Sequence, residues 1–85
     1  MDKIHAMQLF VRVAELESFS RAAETLTLPK GSVSRQIQAL ENRLGTQLLH
    51  RTTRRVSLTQ AGMVYYERAK DLLANLDELD GMFQH

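Results

Sequence analysis

Five apolar residues spaced across one proline-containing turn limit most strongly what this chain can form. Ala23, Leu26, Leu28, Val33 and Ile37 lie at offsets of 0, 3, 5, 10 and 14 residues. Two helices that cross steeply need a small residue at their closest approach, apolar contacts beside the turn, and an apolar underside on the second helix. The spacing therefore predicts a helix-turn-helix, although by itself it also fits a plain three-helix core.

Local signals predict the helices on the amino-terminal side of that turn. Apolar residues recur at helical spacing over residues 2–16, which predicts a first helix. Ser18 or Ser20 can accept hydrogen bonds from the free amides of a new helix, which we expect over residues 21–26. The two helices lead directly into the turn.

The segment beyond the turn predicts a third helix and a small hairpin. The helix starts at residue 31 or 32 and ends at Gly45, because glycine suits the left-handed position after a helix. Residues 47–51 and 56–58 are short apolar runs that flank a polar, β-branched and basic tip. We expect this hairpin to form a wing.

A last helix, capped by Thr59 and running from residue 60 to about residue 83, carries a heptad pattern. At about 1.5 Å per residue, it is longer than a domain of this size can cover, so its far half needs a partner. We predict that two copies pair through it; a helix lying flat with a frayed end is the alternative. The predicted interface consists of Tyr65, Ala69, Leu72, Leu73, Leu76, Leu79 and Phe83.

The predicted fold is therefore mainly α: a winged helix-turn-helix of three helices plus a short β-hairpin wing, followed by a long dimerisation helix. We expect the winged helix-turn-helix domain to occupy residues 1–58 and the linker and dimerisation helix to occupy residues 59–85. The 85 residues provide one modest core and are too few for a second.

Positive charge is concentrated in the middle of the chain. The whole chain has a net charge of +1, but residues 30–60 carry +5, whereas residues 1–29 carry −1 and residues 61–85 carry −3. The basic residues of the middle segment, opposed by Glu41 alone, are Lys30, Arg35, Arg43, Arg51, Arg54 and Arg55. This distribution favours a polyanionic partner, but charge alone also fits a basic surface without function.

Catalysis and metal binding have no support in the sequence. The chain has no cysteine, and its histidines, His5, His50 and His85, are spread over different predicted elements. It contains neither a glycine-rich phosphate loop nor a nucleophile motif. We expect a protein that is not an enzyme and has no metal and no cofactor.

The sequence argues against two further classes of protein, a membrane protein and a coiled-coil adaptor. No apolar run approaches the roughly 18 residues of a membrane span, which indicates a cytoplasmic protein with no membrane partner. The terminal helix would also suit a structural coiled-coil adaptor. A coiled-coil adaptor does not require basic residues beside an acidic helix. The arginines of the wing, Arg51, Arg54 and Arg55, therefore favour a polyanion binder.

Four ordered motifs strongly resemble the amino-terminal domain of LysR-type transcriptional regulators. They are FSRAAETL at residues 19–26, VSRQIQALE at 33–41, LGTQLLHRT at 44–52 and LTQAG at 58–62. The resemblance implies a homodimer on double-stranded DNA with an inverted-repeat operator. It also implies that a small-molecule effector acts only through a carboxy-terminal domain absent from this chain. A self-contained winged-helix regulator of another family is the alternative.

The resemblance and the donor chemistry of the side chains predict three groups of DNA contacts. The major-groove group, at the start of the recognition helix, is Lys30, Gly31, Ser32, Ser34 and Arg35. The wing group, expected in the minor groove, is Thr53, Arg54 and Arg55. The phosphate group is Ser20, Arg21, Gln36, Arg51 and Thr52.

The segment Pro29-Lys30-Gly31 departs from the family pattern, in which many relatives have a Ser-Gln-Pro-like run. An amide side chain pairs with adenine, whereas the ammonium of Lys30 prefers the acceptors of guanine. We therefore expect a half-site that differs from the common one.

Overall fold

Four helices and one short hairpin make up the fold in the computed structural model, which describes residues 3–51 and 55–82 and gives only the backbone of Lys30. The elements are α1 (Lys3–Leu16), α2 (Phe19–Leu26), α3 (Lys30–Leu44), β1 (Leu49–Arg51), β2 (Val56–Leu58) and α4 (Gln60–Gly81). The two strands pair antiparallel. This architecture confirms the predicted winged helix-turn-helix followed by a long helix.

The ends of α2 and α3 follow from a few residues. Of the two candidate caps, Ser18 is the N-cap, and its hydroxyl accepts from the amide of Arg21 at 3.1 Å, so α2 starts two residues earlier than expected. α3 begins directly after Pro29, one residue before the predicted start. Gly45 ends α3 with a φ of 72°, the left-handed conformation that favours glycine, as predicted.

The core lies where α1, α2, α3 and the hairpin meet. Three residues of the helix-turn-helix spacing, Ala23, Val33 and Ile37, are fully buried, while Leu26 and Leu28 pack against the core half-buried. The interior is closed by Leu9, Phe10, Val13, Leu40, Leu48 and Leu49 together with smaller residues of α1 and α2. The apolar spacing therefore forms the crossing of α2 and α3 that the sequence predicts.

The first half of α4 packs on the chain's own core. The ring of Tyr65 meets Phe10 edge-on, with centroids 5.2 Å apart, and Ala69 is 1% exposed. Burial raises the pKa of the Tyr65 phenol, and the nearby Arg43 opposes that shift. The boundary that we expect between residues 58 and 59 stays a prediction. α4 packs against the helix-turn-helix through Tyr65 and Ala69.

The carboxylate of Glu41 attaches the hairpin to α3. Its Oε2 atom accepts hydrogen bonds from the backbone amides of Leu48 at 2.8 Å and Leu49 at 3.1 Å. Its Oε1 atom lies 3.2 Å from Nη2 of Arg51. Because Leu48 and Leu49 are buried, the carboxylate satisfies donors at the point where the chain enters β1.

Thr59 and Gly62 attach α4 to the same segment. The hydroxyl of Thr59 accepts from the amide of Gly62 at 2.9 Å, which confirms Thr59 as N-cap, and donates to the carbonyl of Gln47 at 2.7 Å. The amide of Thr59 donates to the carbonyl of Leu48 at 3.0 Å. Gly62 packs directly on that carbonyl oxygen, so a side chain at this position would overlap backbone.

We expect Gly62→Ala to lower the free energy of unfolding by about 2–3 kcal/mol, because the new methyl group would force apart two backbone segments. Gly81→Ala is the matched control, since open space surrounds Gly81. It should stay within about 0.5 kcal/mol of the parent, because Gly81 is the last residue of α4. Urea unfolding of both variants measures the difference; equal stabilities would contradict the close contact.

We expect Glu41→Ala to lower the free energy of unfolding by about 3 kcal/mol, because buried amides lose a charged acceptor. Glu41→Gln keeps one acceptor oxygen and should lose only about 1 kcal/mol. Glu67→Ala, which removes an exposed carboxylate from α4, should stay within about 0.5 kcal/mol of the parent. If Glu41→Ala and Glu67→Ala unfold alike in urea, the carboxylate does not support the hairpin.

Candidate nucleic-acid interface

The outer face of α3 is presented to solvent because the opposite face is buried. Val33, Ile37 and Leu40 lie against the core, so Gly31 and Arg35 are exposed at the start of the helix. Helical periodicity continues the exposed face toward Gln38 and Asn42, which are also exposed. The start of this face carries Gly31 and Arg35, two of the residues predicted for the major groove.

Two serines on α3 already accept hydrogen bonds within the protein. The hydroxyl of Ser32 accepts from Nε2 of Gln36 at 2.8 Å, and that of Ser34 accepts from Nη1 of Arg51 at 3.4 Å. A hydroxyl that accepts in this way keeps its own proton for donation. Together with the guanidinium of Arg35, the serines give α3 a face of donors, suited to phosphate oxygens and to the acceptor edge of guanine.

Arg51 links three elements of the site. Its guanidinium is paired with Glu41 at 3.2 Å, donates to Ser34, and lies over the ring of Phe19 at 4.9 Å from the centroid. Its side chain is 33% exposed. The start of α2, the middle of α3 and β1 are therefore held together by one cation. The phosphate contact expected of Arg51 stays a prediction; what the structure adds is that Arg51 positions Ser34 and the hairpin.

The remaining predicted contacts lie around this junction or outside the described residues. Ser20 and Arg21 are exposed in the first turn of α2, next to Phe19, and Gln36 is half-buried with its amide on Ser32. Arg55 is exposed directly before β2. The predictions for the side chain of Lys30 and for Thr52, Thr53 and Arg54 lie outside the described residues.

The residues predicted for dimerisation divide into two groups. Tyr65 and Ala69 are engaged with the chain's own core, so they offer little surface to a second copy. Farther along α4, Leu72 and Leu79 are each 52% exposed, and Leu76 is half-buried between them. The half-buried Leu73 completes the described set, and Phe83 lies outside the described residues.

Sequence reasoning missed the roles of Glu41 and Phe19. Glu41 was noted only as the single acidic residue among six basic ones. That isolation was the available signal, because a lone carboxylate among six cations has several possible ionic partners. The position of Phe19 beneath Arg51 depends on tertiary packing and has no local signature.

Neither a cluster of metal-ligating side chains nor a membrane-spanning helix occurs in the described part of the chain. Within residues 3–51 and 55–82, no group of three histidine, aspartate or glutamate side chains is placed to hold a metal ion. Among the helices described, none is long and apolar enough to cross a membrane.

Comparison with known proteins identifies relatives along the whole chain. The chain is 79% identical over 84 residues to the HTH-type transcriptional regulator YhjC of Escherichia coli K12, a match that covers 99% of this chain and 28% of YhjC. It is 47% identical over 70 residues to CrgA of Neisseria meningitidis serogroup C, covering 82% of this chain and 23% of CrgA. The chain thus spans about a quarter of the length of these curated relatives.

Solved structures with the same fold include complexes with DNA. The DNA-binding domain of BenM, crystallised with catB site 1 DNA, superimposes with a TM-score of 0.92 at 41% identity, covering 95% of this chain and 90% of that one. Full-length CbnR, crystallised with its target DNA, gives a TM-score of 0.88 at 32% identity, covering 95% of this chain and 28% of CbnR.

Residues 4–63 match the family described as bacterial regulatory helix-turn-helix protein, lysR family. This confirms the family that the four sequence motifs suggested. The two curated relatives are HTH-type transcriptional regulators. The chain belongs to the lysR family of bacterial regulatory helix-turn-helix proteins.

Proposed function

We propose that this chain binds double-stranded DNA with sequence specificity, as a homodimer, and is the DNA-binding part of a bacterial transcription regulator acting in the cytoplasm. The observation that carries the proposal is the donor face of α3, which Arg51 joins to a basic hairpin. α3 enters the major groove, and the wing reaches the adjacent minor groove. The function is recognition without catalysis, and effector sensing belongs to a domain outside these residues.

The distribution of charge indicates which side of the molecule faces DNA. Residues 30–60 carry a net charge of +5, and they form α3, the hairpin and the connection between them. The far half of α4 exposes the carboxylates of Asp71, Asp77, Glu78 and Asp80. Repulsion between these carboxylates and phosphates keeps the far half of α4 away from the duplex, so α3 and the hairpin approach it.

Selection from a randomised duplex pool tests the DNA-binding proposal. We expect an inverted repeat to be enriched, and the affinity for it to fall at least tenfold from about 50 to about 200 mM salt, because binding releases counterions from several phosphates. Arg35→Ala should weaken binding about tenfold and relax one base preference.

Lys70→Ala is the control for charge, since Lys70 is an exposed cation on α4 whose ammonium lies over the ring of Tyr66. It should bind the selected duplex as the parent does. Retention of no duplex at low salt, or equal loss in the two variants, would contradict the proposed interface.

The homodimer is supported by the exposed leucines in the far half of α4. Leu72 and Leu79 are seven residues apart, so they lie on nearly the same face of the helix, with Leu76 beside them. A two-fold axis through this stripe would bring the same leucines of two copies together. Tyr65 and Ala69, which we expected in the interface, are already packed inside each copy. The proposed interface is therefore shorter than the full heptad pattern.

We expect the double variant Leu72→Glu, Leu79→Glu to become monomeric in sedimentation velocity experiments, because two carboxylates would face each other across the two-fold axis. It should lose most of its affinity for an inverted repeat but keep its affinity for a single half-site. Met63→Glu is the control: Met63 is 58% exposed, and nine residues from Leu72 at about 100° per residue place it on the opposite face of α4. A dimeric double variant would contradict the proposed interface.

A further inference from the structure

We propose that Gly31 is a specificity-determining residue that acts through Arg35. The absence of a side chain at Gly31 lets the guanidinium of Arg35 lie over the first turn of α3, and so decides which base pair Arg35 contacts. The inference rests on the proposed DNA binding. It adds a position that sets base preference without itself offering a side chain to the DNA.

The geometry of the first turn of α3 carries the inference. A β-carbon built on Gly31 would lie 2.9 Å from Nη1 of Arg35, 3.7 Å from its Cζ and 4.0 Å from its Nη2. Residues four apart lie on the same face of a helix, and long side chains lean toward its amino terminus. The guanidinium therefore occupies the space that any other residue at position 31 would claim. Any substitution of Gly31 has to displace the end of the Arg35 side chain.

The open space beside Gly31 permits this position of Arg35, and no ion pair among the described residues fixes it. Among the residues that the structure describes, no carboxylate forms an ion pair with Arg35, whereas Arg51 is paired with Glu41. Pro29, the N-cap of α3, contributes no side-chain hydrogen bond, so the start of the helix keeps its partial positive charge. That charge opposes a guanidinium. Removing the space should therefore be enough to move the side chain.

The position of the guanidinium along α3 matters for base recognition. The guanidinium lies about one turn, or about 5.4 Å along the helix, before its own α-carbon, while successive base pairs are separated by about 3.4 Å. A guanidinium pairs with the N7 and O6 acceptors of guanine. With glycine at position 31, Arg35 reaches a base pair nearer the start of α3 than it could reach past a side chain.

A purely structural role for Gly31 makes a different prediction. Glycine weakens a helix relative to alanine, so Gly31→Ala should leave stability unchanged or raise it. Loss of base preference without loss of stability would therefore separate the two roles.

The test compares the parent chain with Gly31→Ala, Arg35→Ala and the double variant. Each protein selects duplexes from one randomised pool, and its affinity is then measured for the parent's half-site and for every single-base change in it. Thermal unfolding is recorded for each protein. Gly81→Ala is the control, since open space surrounds that glycine.

We expect Gly31→Ala to reduce the preference for one guanine about tenfold, with an unfolding temperature equal to or above that of the parent. Adding Gly31→Ala to Arg35→Ala should change nothing further, because the guanidinium is already gone. Gly81→Ala should keep the parent's preference.

Two results would overturn the inference while leaving the proposed function intact. The first is a Gly31→Ala protein that selects the parent's half-site with undiminished discrimination. The second is an effect of Gly31→Ala of the same size in the Arg35→Ala background, since Gly31 would then act without Arg35. Failure of the parent to retain any duplex would overturn the proposed function, and the inference with it.

Discussion

The carboxylate of Glu41 joins α3 to the hairpin, the two elements of the proposed DNA-binding surface. Glu41 reaches from α3 to the amides of Leu48 and Leu49 and to the guanidinium of Arg51. Its side chain is 12% exposed, so these contacts are formed in a region from which water is largely excluded, where charge-assisted hydrogen bonds are strong and an unpaired group is unfavourable. The hairpin is therefore attached to α3 through the contacts of Glu41.

The same carboxylate balances one of the positive charges of a basic segment. Residues 30–60 carry six cations, which repel one another and would splay the hairpin from α3 if none were neutralised. Glu41 is paired with Arg51, which lies between the elements and also contacts Ser34 and Phe19. Arg35, in contrast, has no carboxylate paired with it in the described part of the chain. The fold thus uses one arginine for support and leaves another available for a partner.

Local features of this chain could be predicted from the sequence, whereas contacts between distant segments could not. Helix ends depend on contacts within one turn, so residue type and periodicity identified Gly45 and Thr59 and limited the cap of α2 to Ser18 or Ser20. The apolar spacing of the helix-turn-helix was equally readable, because each of its residues has to face the other helix. The requirement for glycine at position 62 could not be predicted in this way. It arises from the carbonyl of Leu48, which comes close to Gly62 only in the folded chain.

The heptad pattern of α4 shows why periodicity alone did not define an interface. Periodicity reports that one face of a helix is apolar, but it does not distinguish a face covered by the chain's own core from one covered by a second copy. In a straight helix a seven-residue repeat also drifts by about 20° per heptad. Tyr65, on the core side, is therefore followed by Leu72 and Leu79 at positions turned progressively away from it, and both leucines are about half exposed. The first part of this apolar stripe thus packs on the chain's own core, whereas its last part is exposed and free to contact a partner.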